Sequence, residues 1–257
     1  MPSASALIDW NTLMFIVIGF GAQLCDGALG MGFGVISSTV LTLLGLPRVV
    51  VSATVNTAKI LTGTASTVSH LAYKNVDWRS LVILTIGGIA GALVGSNLLL
   101  KSDNSRYIGP FISVYLIGVG IYIIWKASHV ERLRITLPRI GIIGIAAGFL
   151  EAVAGVWGPL ATSNLVASGL APRLAVGVGN VAETFVAVVV SMTLVHKLGF
   201  ENLSRAAVGL VIGALIASPL AARLTANLHK RRLAIGVGIL VILSSSLRLF
   251  KETGWLG

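Results

Sequence analysis

Apolar residues fall in ten stretches along the 257-residue chain, at about 11–26, 31–45, 49–71, 79–100, 107–126, 138–154, 157–170, 174–196, 204–223 and 232–250. A helix needs roughly 20 residues, rising 1.5 Å each, to cross a bilayer. The pattern predicts an all-α polytopic membrane protein. Two pairs of stretches, 11–26 with 31–45 and 138–154 with 157–170, are short and meet at Gly-rich interruptions. Each pair predicts a re-entrant or broken helical hairpin. Non-helical backbone at membrane depth is tolerated where protein covers it or a wet cavity meets it, so both breaks should face inward.

The punctuation repeats. Gly27-Ala-Leu-Gly-Met-Gly-Phe-Gly34, Gly45-Leu-Pro-Arg48 and Asn56-Thr-Ala-Lys59 are matched by Glu151-Ala-Val-Ala-Gly-Val-Trp-Gly158, Gly169-Leu-Ala-Pro-Arg173 and Asn180-Val-Ala-Glu183. The expected organisation is a first repeat over 1–126, a basic cytoplasmic linker over 127–139 and a second repeat over 140–257. In each repeat three transmembrane helices follow the hairpin. An odd number of crossings per repeat inverts the second relative to the first, and paired interruptions in two halves mark a secondary transporter with its site near mid-membrane. The basic clusters Lys126 to Arg139 and Arg223 to Arg232 belong on the cytoplasmic side. That places Lys74, Arg79 and Arg173 inside, and Arg48 and both termini outside. Trp10, Trp78 and Trp125 fall at segment ends, where the headgroup boundary favours them; Trp157 does not.

Composition sharpens this picture. Hydrophobic residues make up 55% of the chain, charged residues 11%, and the mean hydropathy is +0.93, against about 25% charged in an average soluble domain. The net charge of +10 is confined to short joints, so it reads as topology and not as nucleic-acid binding. The lone Cys25 rules out an intramolecular disulfide or a Cys-based zinc site. Met1 to Trp10 lacks the basic start of a cleaved signal peptide, and the length leaves no room for a separate soluble domain. The four histidines are dispersed without metalloenzyme spacing, so neither an enzyme nor a cofactor or metal is expected.

Candidate chemistry lies at the breaks and in the helix after each. A half-helix starting at Gly32, Phe33 and Gly34, or after Trp157, Gly158 and Pro159, presents unpaired N–H groups and the positive end of its dipole to an anion. These glycines could equally serve close helix packing. Asn56, Lys59, Gly63, Ser66 and His70 recur every three or four residues and form one polar stripe. Lys59 and Glu183 occupy matching repeat positions near mid-bilayer, where a charge costs about 2.5–3.5 kcal/mol and normally faces a partner or a wet path. Two readings stand: an ion pair locking the repeats, or Lys59 attracting an anion while Glu183 titrates or gates. Asp26 and Glu151, just before the breaks, suit either helix capping or proton carriage. Asn180, matching Asn56, completes the substrate-binding set.

These residues bring out a resemblance. Asp26 to Gly34, Gly45-Leu-Pro-Arg48 to Asn56, Asn75-Val-Asp77-Trp78, and Trp157-Gly-Pro159 to Glu183 resemble the sulfite exporter TauE/SafE family, bacterial transporters of sulfur-containing and organic anions. The resemblance spans nearly the whole chain. Similar members tend to carry a carboxylate at both repeat positions, so Lys59 is a departure that favours a fixed cation over a symmetric acid pair. The resemblance implies export of a small anion, sulfite or a small organosulfonate, by alternating access across the bacterial inner membrane. Each negative charge leaving an inside-negative cell gains about 2.3 kcal/mol per 100 mV, so no ATP is needed. The alternative is a proton-coupled carrier or importer of related anions with Glu183 as the proton site. The expected partners are a small anionic substrate and the lipid bilayer; a homodimer is compatible with both.

Overall fold

The computed structural model describes residues 10–29, 32–102, 108–128, 136–167, 169–199, 204–224 and 230–253, and the regular structure among them is helical. The first half comprises α1 (Trp10–Leu29), α2 (Phe33–Leu43), α3 (Arg48–Ala72), α4 (Trp78–Ser102) and α5 (Ile108–Ser128). The second comprises α6 (Leu137–Ala154), α7 (Ala161–Ala167), α8 (Pro172–Leu198), α9 (Ser204–Leu224) and α10 (Lys230–Glu252). The expected linker at 127–139 is taken at both ends by α5 and α6, and its centre, 129–135, lies outside the described residues. So do Gly30 and Met31 of the first break and 225–229 of the second basic cluster.

Local chemistry sets the joints. Thr136 precedes α6 with Pro138 in its first turn, where a missing N–H costs little. Gly155 ends α6 in the left-handed conformation, φ 70°, which glycine adopts without a Cβ penalty. Asp77 caps α4: its Oδ2 accepts the Ser80 N–H at 2.9 Å while its carbonyl accepts the Leu81 N–H. One expectation is corrected. The apolar stretch 157–170 folds as a seven-residue helix, α7, because Gly158 and Pro159 hold the chain in a turn before it and Gly169, φ 89°, turns it away afterwards.

The main helix contacts join the two halves. α4 packs on α6, α1 on α9, α5 on α10 and α3 on α8, with α4–α8 and α3–α9 as further pairs. Exchanging each helix for its counterpart five places along returns the same set. Glycine allows the tightest of these approaches: a Cβ on Gly91 of α4 would strike the Ile145 carbonyl of α6, and one on Gly148 of α6 would strike the Gly88 carbonyl of α4. Small residues serve this purpose in bilayers, where packing and not water exclusion drives helix association. Val17, Val94, Phe111, Ile142 and Met192 point outward and are more than 60% exposed, an exterior suited to lipid. Among the described residues three helices, Trp78–Lys101, Leu137–Ala154 and Arg173–Leu198, are each long and apolar enough to cross a membrane.

Two outcomes follow from these contacts. Gly148→Leu is expected to separate α4 from α6 and lower the melting temperature of detergent-purified protein, at a cost of about 1–3 kcal/mol or more; an unchanged melt would contradict the close approach. Hydrogen bonds from the Ser80 hydroxyl and amide hold the Asp77 carboxyl below its ordinary 3.8. A depressed carboxyl contributes stability above its unfolded pKa and loses it as pH falls through the folded value. The deficit of Asp77→Ala, about 1 kcal/mol for a lost cap, should therefore be full at pH 7 and shrink below about pH 4 in matched thermal melts.

Candidate functional site

α3 and α8 run antiparallel through the centre of the bundle. Thr57 meets Ser191 at 2.7 Å, Thr67 donates to Thr184 at 3.1 Å, and Asn180 Nδ2 donates to Ser66 Oγ at 3.1 Å. Arg48 and Arg173, which open these helices, therefore lie at opposite ends of the pair. Lys59 is eleven residues from both Arg48 and His70, about 16 Å along the helix from each.

Three charged side chains meet at this midpoint. Lys59 Nζ lies 2.6 Å from Glu151 Oε1 and 2.7 Å from Glu183 Oε1. Glu151 is fully buried, whereas the Glu183 side chain keeps 24% of its exposure. The second Glu151 oxygen, Oε2, has no hydrogen-bond partner among the described residues. One ammonium thus serves two carboxylates. α2 makes room for it at Gly34, where a Cβ would sit 2.7 Å from Lys59 Cε and also strike the Gly155 carbonyl. Asp26 Oδ1 accepts the Phe33 N–H at 3.2 Å and so caps the start of α2.

A cavity of about 300 Å³ reaches this cluster from the His70 end of α3. Four members of the α3 stripe, Lys59, Gly63, Ser66 and His70, form one wall, and Asn180 and Glu183 of α8 form another. Asp26 and Phe33 close the inner end. Its lining joins a cation and carboxylates to neutral donors, with Asn180 Nδ2 3.4 Å from His70 Nε2.

The structure thus brings Asp26, Phe33, Lys59, Asn180 and Glu183 onto one cavity, with Glu151 and Gly34 against Lys59 and Gly32 as the residue before α2. Others are placed elsewhere. Asn56 is buried a turn before Lys59 and donates to the Ser52 carbonyl at 2.9 Å. Trp157 is 1% exposed; its Nε1 donates to the Gly179 carbonyl at 3.0 Å and its ring packs beside Gly88. Gly158 and Pro159 are buried in the turn before α7, where their carbonyls accept from Ser163. The Ala161 N–H is likewise taken by the Trp157 carbonyl at 2.9 Å, so the second half-helix start presents no cradle to this cavity. Sequence reasoning missed Gln23, Thr62 and Thr184 on the cavity wall. Gln23, one helical turn before Asp26 in an apolar segment, was the available signal.

Removing one partner of a buried ion pair leaves an uncompensated charge and costs about 3–5 kcal/mol. Lys59→Ala should lose stability on that scale in denaturant or thermal unfolding, and adding Glu151→Leu should recover part of the loss. Additive losses in the double variant would argue against the coupling.

A profile of the sulfite exporter TauE/SafE family matches residues 15–247. The probable membrane transporter protein YtnM of Bacillus subtilis (strain 168) is 34% identical over 252 residues, covering 93% of this chain and 83% of the relative. The probable membrane transporter protein YunE of the same organism is 25% identical over 125 residues, 45% of each chain. No solved structure matches. The family match along almost the whole chain, together with helices apolar enough to cross a membrane, makes this chain a member of the sulfite exporter TauE/SafE family and a membrane transporter, not an enzyme.

Proposed function

We propose that the chain is a secondary transporter that exports a small anion, sulfite or a small organosulfonate first, across the bacterial inner membrane. The observation that carries this reading is a one-sided cavity ending at a buried cation midway along α3. Alternating access between two inverted repeats is supported by a helix pairing that survives exchange of the halves and by Arg48 and Arg173 at opposite ends of the α3–α8 pair. Lys59 is the anion's counter-charge, with Asn180 and Ser66 as neutral donors along its approach.

A second reading, proton-coupled carriage or import of related sulfur-containing or organic anions, draws on the carboxylates already holding Lys59. An anion at Lys59 competes with Glu183, the partner that the cavity reaches. Protonating Glu183 removes that competition and lets proton and anion move together. The charged and titratable groups around it are Lys59 and His70 of α3, Asp26 of α1 and Glu151 of α6.

Sulfite flux in sealed proteoliposomes tests both readings. A membrane potential alone should drive flux in wild type, and Lys59→Gln combined with Glu151→Gln and Glu183→Gln, which neutralises all three groups together, should abolish it while remaining folded. Stimulation by an imposed pH gradient, lost in Glu183→Gln, selects the proton-coupled reading. Absence of flux for sulfite, organosulfonates and carboxylates alike would overturn the transport assignment at this site.

A further inference from the structure

On the other side of Lys59, toward Arg48, the protein holds a second, smaller cavity of about 20 Å³, with hydroxyls and one guanidinium set among apolar side chains. That is room for about one water. Its wall includes Ser38, Thr39 and Thr42 of α2, Arg48 and Ser52 of α3, and Ser245 of α10. Three of these hydroxyls, on Ser38, Thr39 and Ser245, are between 2% and 6% exposed and find no partner among the described residues. Buried hydroxyls in native proteins are normally satisfied, so an unpartnered set sharing one cavity points to a ligand that completes them.

The charge on this wall identifies the ligand. Arg48 is its one ionisable residue, whereas the larger cavity carries Asp26 and Glu183 beside Lys59. Hydroxyl donors around a guanidinium are the chemistry of oxyanion recognition, because each O–H rotates to donate and the guanidinium fork matches paired oxygens. Both cavities also meet the first turns of a long central helix: Val51 and Ser52 of α3 line the small one, Val176 of α8 the large one.

We propose that Arg48, Ser38, Thr39, Ser52 and Ser245 form a second oxyanion subsite on the far side of Lys59, which takes the small sulfur oxyanion or sulfonate when this side opens. The assignment rests on the transport reading for its role in the cycle, and on the cavity itself for its preference for anions. Lys59 then stands between two stations about 16 Å from Arg48 at one and His70 at the other, and the narrow subsite discriminates among anions after the wide vestibule admits them.

The test uses single cysteines in a Cys25→Ser background, reconstituted in vesicles. Thr39→Cys and, independently, Ser245→Cys are treated with anionic sulfonatoethyl methanethiosulfonate and with its cationic trimethylammonioethyl analogue. The anionic reagent should react at least tenfold faster at both positions, Arg48→Gln should abolish or reverse the preference, and sulfite should slow the reaction. Equal rates, a preference for the cation with Arg48 intact, or cysteines inert to both reagents in folded protein would overturn the subsite. The two readings fail separately: anion-selective labelling without flux of any anion removes the transport role and keeps the site, whereas sulfite flux with unselective cysteines does the reverse.

Discussion

The centre of this protein depends on one largely buried ammonium group held by two carboxylates. Lys59 comes from the first half, Glu151 and Glu183 from the second, so the contact joins the halves at the point where an ion would cross. Neither kind of charge is tolerable alone in that setting, and their attraction fixes how α3, α6 and α8 come together. The arrangement also carries one carboxylate more than Lys59 can neutralise. The partial exposure of Glu183 opens that second carboxylate to the cavity, while Glu151 stays sealed against Lys59.

Around that centre the bundle combines tight and loose regions. Glycine faces bring α4 against α6 and α1 against α9 closely enough that an added methyl would strike a backbone carbonyl. Between those pairs, α3 and α8 meet through hydroxyls, amides and charges. Close-packed apolar contacts resist deformation, whereas a polar seam can trade its partners for water or a ligand. The α3–α8 seam is therefore the more adaptable of the contacts between the two halves.

Much of this was legible in the sequence for a physical reason: apolar run lengths are dictated by the bilayer, and the observed helices follow them closely. The stripe from Lys59 to His70 was also readable, since spacings of three and four place residues on one face, and four of its five members line the cavity. Symmetry was a weaker guide: Trp157, Gly158 and Pro159 match the first break in sequence, yet they are buried ahead of the seven-residue α7 and lie away from the cavity that Phe33 lines. Asp26, read as a cap or a proton carrier, accepts the Phe33 N–H and also lines the cavity. The contact of Lys59 with Glu151, 92 residues away, has no local signature, since neither repeat position nor helical period links the two.

The pairing of helices across the halves bears on how the chain is made. α1, α4 and α5 find their principal partners in α9, α6 and α10, so the first five helices enter the bilayer with their glycine faces turned to lipid and Lys59 without either carboxylate. Glu151 and Glu183 are synthesised 92 and 124 residues later. During that interval the lysine is a charge waiting in or beside the membrane, and the arrival of α6 and α8 is what allows it to settle. The native contacts of the first half therefore wait on helices that are made after it.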